Sequence, residues 1–201
     1  MTKIARANHP IHDILKNRWS PRTFSERPVE HEKLLSLLEA ARWAPSSANE
    51  QPWYYIVATK ENADAFERAV ACLRPNNQRW AKDAPVLMFS VARNNRSNDV
   101  PNRFALYDVG QATAHMLAQA TAFDLYVRQM GGIDADKVRE TYQIPETHTV
   151  VAGIALGYLG QVEQLPEDIQ ERERAVRERK PLSDFVFTES WGQSPSWLEK
   201  E

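Results

Sequence analysis

Four short apolar runs constrain the fold of this chain most strongly. Each is rich in β-branched or aromatic residues, and its length and composition are typical of a strand buried within a sheet. Segments with helical periodicity separate the runs, so the sequence predicts an α/β or α+β fold around a mostly buried sheet. The runs are Trp53–Ala58, Val86–Val91, Leu125–Met130 and Val150–Leu159, and a late run, Phe185–Thr188, is interpreted as a further strand.

Helical periodicity marks the segments around these runs. The longest, Arg103–Ala122, carries two apolar stripes, one including Val109 and Met116 and the other including Gly110 and Ala114. A helix that is apolar on two sides is expected to be buried on two sides. In a chain this short, the second stripe predicts contact with another subunit. The other predicted helices are Ile11–Lys16, His31–Ala44, Ala63–Leu73 and Asp134–Tyr142, the last with Asp134 as its cap.

Length and composition narrow the class of protein. The 201 residues contain no internal repeat, which predicts one domain over 1–201. Within it, 164–201 is interpreted as a C-terminal arm. The charged part of the arm, Gln164–Arg179, is expected to be solvated. A net charge of -2 gives no general attraction for nucleic acid or an anionic membrane. No apolar stretch reaches membrane-spanning length, and the N-terminus lacks a signal-peptide core. With a single cysteine, Cys72, the chain is expected to be cytoplasmic and free of disulfides.

The first polar motif is Arg18-Trp19-Ser20-Pro21-Arg22, in a loop after the first predicted helix. Guanidinium groups match phosphate oxygens bidentately, and the Ser20 hydroxyl adds a short donor. The motif is therefore a candidate monophosphate site. The alternative is a solvated basic turn without a ligand.

The second polar motif is a loop between a buried helix and a buried strand. Its serines, asparagine and glutamine supply neutral hydrogen-bonding groups that can recognise a heterocycle edge or a polyol chain. The alternative is a capped helix end followed by a turn. The candidate residues of this loop are Pro45, Ser46, Ser47, Asn49 and Gln51.

Two weaker motifs follow later in the chain. Met130-Gly131-Gly132 ends a predicted strand, and paired glycines allow backbone amides to approach a ligand closely, although Gly-Gly is more often a plain turn. Near the C-terminus, Arg177 and Arg179 are candidates to reach a phosphate. The interleaved acids of that segment favour a solvated helix with paired charges.

These segments, in this order, resemble the nitroreductase-like family of flavin enzymes. The residues that carry the resemblance form six segments along the chain. They are Arg18–Phe24, Glu39–Trp53, Asn77–Pro85, Asp108–Gly110, Met130–Gly132 and Ala155–Tyr158.

The resemblance implies an α+β fold with a central mixed β-sheet flanked by helices, in an intertwined homodimer with two FMN sites at the subunit interface. It implies that Arg18 and Ser20 bind the FMN phosphate, together with a C-terminal pair, Arg177 and Arg179. It places Arg22 nearer the pyrimidine edge of the ring. Asn77 would lie at that edge, Gly131 and Gly132 would face N5, and Ser46, Ser47 and Asn49 would reach the flavin bound mainly by the other subunit.

Two residues depart from the family pattern. Asp124 stands where many relatives have glycine, before the third predicted strand. Arg128 stands two residues before the paired glycines, where a guanidinium could favour anionic acceptors or simply pair with an acid. These departures therefore bear on the choice of acceptor rather than on the cofactor.

Several common site types are absent from the sequence. No Gly-x-Gly-x-x-Gly follows a strand, so a resident dinucleotide is not expected, and a nicotinamide would visit the flavin and leave. The five histidines show no metal spacing, and no Gly-x-Ser-x-Gly is present. No side chain is predicted as a certain general acid, since a flavin carries the redox chemistry itself.

The resemblance thus implies an FMN-dependent oxidoreductase that passes electrons from NAD(P)H to a small organic acceptor, such as a nitroaromatic or quinone, by alternating binding at one site. Two alternatives stay open. One is a flavin-binding carrier or sensor without turnover. The other is a relative that uses reduced flavin and oxygen for flavin fragmentation or dehalogenation, although no lid insertion typical of such relatives is recognisable.

Overall fold

A four-stranded sheet lies at the centre of the computed structural model, which describes residues 3–198. The strands are β1 (Trp53–Thr59), β2 (Val86–Arg93), β3 (Tyr126–Met130) and β4 (His148–Gly157), in the order β1-β2-β4-β3. Each neighbouring pair is antiparallel. The predicted α+β class is confirmed, but the predicted mixed sheet is wrong for these strands. β2 and β3 run in the same direction, yet β4 lies between them and opposes both.

Seven helices within residues 3–198 accompany the sheet, and the predicted helices are present with small shifts at their ends. Asp134 caps its helix as predicted, because its Oδ1 accepts a hydrogen bond from the Lys137 amide at 3.0 Å. One helix was not predicted, although Pro75 at its first position is a recognised start signal. The helices are α1 (Asp13–Asn17), α2 (His31–Arg42), α3 (Ala63–Ala71), α4 (Pro75–Ala81), α5 (Ala105–Ala122), α6 (Ala135–Tyr142) and α7 (Glu167–Arg174).

Strand β2 shows how the core is divided between the two faces of the sheet. Leu87 and Phe89 belong to one cluster of buried side chains, and Val86 and Met88 belong to another. Because successive side chains of a strand point to opposite faces, helices must cover both. Side chains of α3, α4, α6 and α7 contribute to the first cluster, and those of α2 and α5 to the second. The prediction of buried strands is confirmed for β2, whereas β1, at the edge of the sheet, is only partly buried, with Tyr54 47% exposed.

Helix α5 buries one of its two apolar stripes. Val109 and Met116 of the first stripe are buried in clusters that also contain strand residues. In the second stripe, Gly110 and Ala114 are exposed, and Leu106 is 55% exposed. The stripe that was predicted to meet another subunit is therefore largely uncovered in the single chain.

The C-terminal part differs from the sequence prediction in two ways. Helix α7 was expected to be solvated, but Ile169 and Glu173 are buried, and Glu173 is only 1% exposed. The predicted strand Phe185–Thr188 is wrong: no strand forms there, and Phe185 is exposed. Within residues 3–198 this segment pairs with neither edge strand, β1 or β3. The predicted arm also includes residues 199–201, which lie outside the described residues.

One departure from the family pattern has a visible backbone cause. Asp124 follows α5 with a φ of 55°, in the left-handed region where glycine is strain-free. Aspartate tolerates this region better than most residues. Separately, no helix within residues 3–198 has the length and apolar character needed to cross a lipid bilayer.

Candidate cofactor site

A large cavity lies where the N-terminal segment meets the part of the C-terminal arm that follows α7. Its volume is about 780 Å³, and we call it the basic cavity because five of its lining residues are arginine or lysine. One acid, Glu178, also lines it. The basic residues are Arg6, Arg18, Arg177, Arg179 and Lys180.

Three guanidinium groups of the basic cavity have no acidic partner in the part of the chain that the structure describes. Within residues 3–198, Arg18, Arg177 and Arg179 form no ion pair; Arg177 donates to the Lys3 carbonyl at 2.6 Å, and Arg179 to the Glu178 carbonyl at 2.6 Å. Burial lowers the pKa of Arg18, and the charges of Arg177 and Arg179 lower it further. Positive groups that repel one another in a partly buried cavity form a strong site for an anion.

A second cavity, of about 290 Å³, lies between the N-terminal end of α4 and the end of β3. We call it the glycine cavity. Asn77 Nδ2 donates to the Gly132 carbonyl at 3.0 Å, and a Cβ on Gly132 would lie 2.5 Å from that nitrogen. A Cβ on Gly131 would meet no atom within 4 Å, so Gly131 faces open space. The lining residues are Arg74, Asn76, Asn77, Arg128, Gln129, Met130, Gly131 and Gly132.

Ser20 and Arg128 connect the two cavities. Arg18 Nη1 donates to Ser20 Oγ at 3.1 Å, and Arg128 Nη1 donates to the Ser20 carbonyl. Arg128 also lies over the Trp80 ring, 5.4 Å from its centroid. Burial, followed by the charge of Arg22, lowers the pKa of Arg128 to about 10. A continuous polar tract therefore runs from the unpaired arginines to the paired glycines.

Arg22 has a different environment from Arg18. Its backbone amide donates to Glu173 Oε1 at 2.8 Å, and its Nη1 to Oε2 at 3.3 Å. It lines a separate small cavity of about 150 Å³ with Thr23 and Gln164. Sequence reasoning missed Glu173 as a partner. The available signal was its position four residues after Ile169, which places both on one face of a helix.

Trp19 lies between the polar residues of the first motif but is itself part of the core. It is 4% exposed, and its ring meets Tyr126 edge-on at 5.9 Å. Its burial fixes the loop that presents Arg18 and Ser20 on either side of it.

The second predicted motif is a strained loop. Ala48, Asn49 and Gln51 have φ values of 52°, 56° and 46°, in the left-handed region that is costly for residues other than glycine. Among the hydrogen bonds of the loop, the Ser47 amide donates to the buried Asp108 Oδ2 at 3.1 Å, and the Gln51 amide donates to Ser46 Oγ at 3.0 Å. Strain of this kind persists only where the surrounding structure enforces it.

The structure thus brings together two groups of predicted site residues and leaves a third apart. Arg18, Arg177 and Arg179 share the basic cavity, and Asn77, Met130, Gly131 and Gly132 share the glycine cavity. The loop residues line neither of these cavities of the single chain. They are Pro45, Ser46, Ser47, Asn49 and Gln51.

Comparison with known proteins identifies the family. The family model described as the nitroreductase family matches residues 15–158. The chain belongs to the nitroreductase family. The matched range includes the first polar motif, the strained loop and the glycine cavity, and it ends before α7.

Individual relatives agree with this assignment. A curated protein of Archaeoglobus fulgidus, named provisionally as an NADH dehydrogenase/NAD(P)H nitroreductase, is 27% identical over 187 residues, which cover 89% of this chain and 97% of that protein. A crystal structure described as an oxidoreductase containing FMN has 35% identity and a TM-score of 0.88, covering 94% of this chain and 96% of that one. A provisional nitroreductase of Desulfovibrio desulfuricans, solved in complex with FMN, shares the fold at 20% identity, with a TM-score of 0.70 and coverage of 92% and 99%.

Proposed function

We propose that this chain binds FMN and passes electrons from NAD(P)H to a small organic acceptor, such as a nitroaromatic or a quinone. The observation that carries the proposal is the polar tract of the site, which begins at three unpaired arginines and ends at two glycines beside an open cavity. FMN has a dianionic phosphate at one end and a flat heterocycle at the other, so its chemistry suits both ends of the tract. The similarity to an FMN-containing oxidoreductase supports the choice of cofactor.

Different residues of the tract bind different parts of the cofactor. Arg18, Arg177 and Arg179 hold the phosphate through charge-assisted hydrogen bonds, each stronger than a neutral one. At the other cavity, Asn77 and the Gly131–Gly132 backbone contact the ring. When bound, FMN supplies hydride acceptance and donation, so the chain needs to provide binding, orientation and electrostatics.

The site is completed by a second copy of the chain. The strained loop from Pro45 to Gln51 lines neither cavity of its own chain, and it is held by Asp108 on α5. The exposed stripe of α5 provides the apolar surface for a homodimer. In the dimer, Ser46, Ser47 and Asn49 reach the flavin held mainly by the partner subunit.

Donor and acceptor use one site in turn. The sequence has no dinucleotide-binding fingerprint, so the nicotinamide binds at the open face of the ring, transfers hydride and leaves before the acceptor enters. This order predicts ping-pong kinetics, in which double-reciprocal plots at several acceptor concentrations are parallel.

The test begins with the cofactor content of the purified protein. We expect about one FMN per chain, bleaching by NADPH or NADH without oxygen, and recovery of the colour on addition of a nitroaromatic or a quinone. A folded protein that takes up no FMN would refute the proposal. Flavin that binds but is not bleached by either nicotinamide would identify a carrier or sensor, and reoxidation by oxygen alone would favour the oxygen-using alternative.

A further inference from the structure

Arg128 occupies an unusual position for a charged residue. It is half-buried, lines the glycine cavity, and lies between the Ser20 carbonyl and the Trp80 ring. Within residues 3–198 its side chain makes one hydrogen bond and no ion pair, so most of its five N–H donors stay available. A guanidinium held in place with free donors beside a cavity is suited to contact a ligand there.

Arg22 is engaged elsewhere. Two hydrogen bonds join it to Glu173, which is 1% exposed, and this pair carries no net charge. Glu173 lies on α7, which packs against the sheet through Ile169. The first segment of the arm thus fixes the direction of the Arg22 side chain.

We propose that Arg128, rather than Arg22, is the cation that contacts the pyrimidine end of bound FMN, and that Glu173 is a positioning residue that holds Arg22 away from it. This inference rests on the proposed function, because it assumes FMN in the two cavities. It departs from the role that the family resemblance gives to Arg22. The cation at the ring edge therefore comes from β3 instead of from the loop after α1.

If this assignment is right, Arg128 affects the reduction potential of the flavin and the Arg22–Glu173 pair does not. Uptake of two electrons and one proton leaves the reduced ring with one negative charge at neutral pH. A cation in contact with the ring stabilises that charge and raises the potential. Arg128 supplies such a charge, since its pKa of about 10 keeps it protonated at pH 7. The neutral Arg22–Glu173 pair contributes little.

The experiment compares midpoint potentials of FMN-loaded variants, with free FMN removed, by anaerobic reductive titration against redox dyes. Arg128→Met should destabilise the reduced ring relative to the oxidised ring about tenfold, which for a two-electron couple lowers the potential by about 30 mV. Arg128→Lys should retain most of the wild-type potential. The matched control is the double variant Arg22→Met/Glu173→Gln, which removes a charge pair without changing the net charge and should keep the wild-type potential.

Two results would overturn the inference: an unchanged potential in Arg128→Met, or a fall in the double variant as large as in Arg128→Met. If Arg128→Met loses FMN altogether, Arg128→Gln is titrated with FMN beside the double variant. Binding by the double variant alone then supports the assignment, and equal binding contradicts it. Absence of FMN from the wild-type protein would instead refute the proposed function, so the two failures are distinguishable.

Discussion

Arg18 shows why an unpaired, partly buried charge indicates a bound ligand. A partly buried guanidinium without a carboxylate partner is destabilising, since burial of a charge is costly unless something compensates it. Arg177 and Arg179 raise this cost, because they add positive charge to the same cavity. The arrangement is expected only where an anion binds for a substantial part of the time, and a phosphate is the anion that guanidinium groups match best.

The first prediction concerns Arg18→Ala. Loss of a charge-assisted hydrogen bond costs about 1.5–3 kcal/mol, roughly ten- to a hundredfold in affinity. FMN should therefore bind the variant that much more weakly, whereas riboflavin, which lacks the phosphate, should be little affected. Titration of the apo-protein with both ligands measures this. Arg172→Ala, an exposed arginine of α7, is the control and should leave both affinities unchanged. Equal losses for the two ligands would contradict the phosphate assignment.

The second prediction compares the two glycines of the glycine cavity. In Gly132→Ala the new methyl group displaces the Asn77 amide, which lies 2.5 Å from its position, and breaks the bond to the Gly132 carbonyl. The cost should be about 0.5–1.5 kcal/mol in the free energy of unfolding of the apo-protein. Gly131→Ala points into open space and should leave that free energy within about 0.5 kcal/mol, yet weaken FMN.

Urea unfolding of both apo-variants, with FMN titrations alongside, separates the two effects. If Gly131→Ala bound FMN as tightly as the wild type, the ring would not lie against that residue.

The conformation of the strained loop depends on helix α5. Asp108 lies in the first turn of that helix, where the helix dipole favours a carboxylate, and it is 1% exposed. Its bond to the Ser47 amide is the link between the helix and three left-handed residues. The loop conformation is therefore set by a residue far away in sequence.

The third prediction follows from this link. Asp108→Ala leaves the Ser47 amide without its acceptor and should cost about 1.5–3 kcal/mol of stability. Amide hydrogen exchange should rise over residues 45–51. Asp108→Asn retains a side-chain oxygen that can accept the bond and should show the smaller loss. Unchanged exchange of the loop in Asp108→Ala would show that the strain is enforced by other contacts.

The sequence predicted those elements whose own residues determine them. The four strands and the Asp134 cap depend on local composition, and they are present. What could not be predicted depends on partners distant in the chain: the burial of Glu173, the antiparallel insertion of β4, and the failure of Phe185–Thr188 to pair with either edge strand. The candidate site follows the same rule, because its motifs were recognisable but the Arg22–Glu173 and Ser20–Arg128 contacts were not.

At the scale of the whole molecule, the proposed cofactor tract joins parts of the chain that are far apart in sequence. They are the N-terminal loop, α4, the end of β3 and the part of the C-terminal arm that follows α7. A ligand that binds all of them only in the folded state stabilises the whole structure.

The fourth prediction is a stabilisation by FMN. At a free FMN concentration of 100 times Kd, folding gains about 2.7 kcal/mol. For a chain of this size, each kcal/mol raises Tm by roughly 2–4 °C, so a rise of about 5–10 °C is expected. Calorimetry of apo- and FMN-loaded protein measures this, and the rise should shrink in Arg18→Ala. A Tm independent of FMN would contradict binding across these segments.

The last prediction concerns the uncovered face of α5. Leu106 and Tyr107 are 55% and 68% exposed, and Gly110 and Ala114 leave a shallow surface on which a second helix can pack closely. A stable interface usually removes more than about 1,000 Å² of surface from water. The exposed face of α5 can supply part of that area. An unpaired carboxylate at its centre would have to be dehydrated in every dimer and should weaken association by several kcal/mol.

In sedimentation velocity experiments at low micromolar concentration, we expect the wild type to be a dimer and Ala114→Glu to be monomeric. Because loop residues from the partner are proposed to complete the site, the variant should also bind FMN more weakly. Ala135→Glu introduces the same charge on the exposed first turn of α6 and should leave both properties unchanged. A wild-type protein that is monomeric while loaded with FMN would refute the dimer, and with it the proposed role of the Pro45–Gln51 loop.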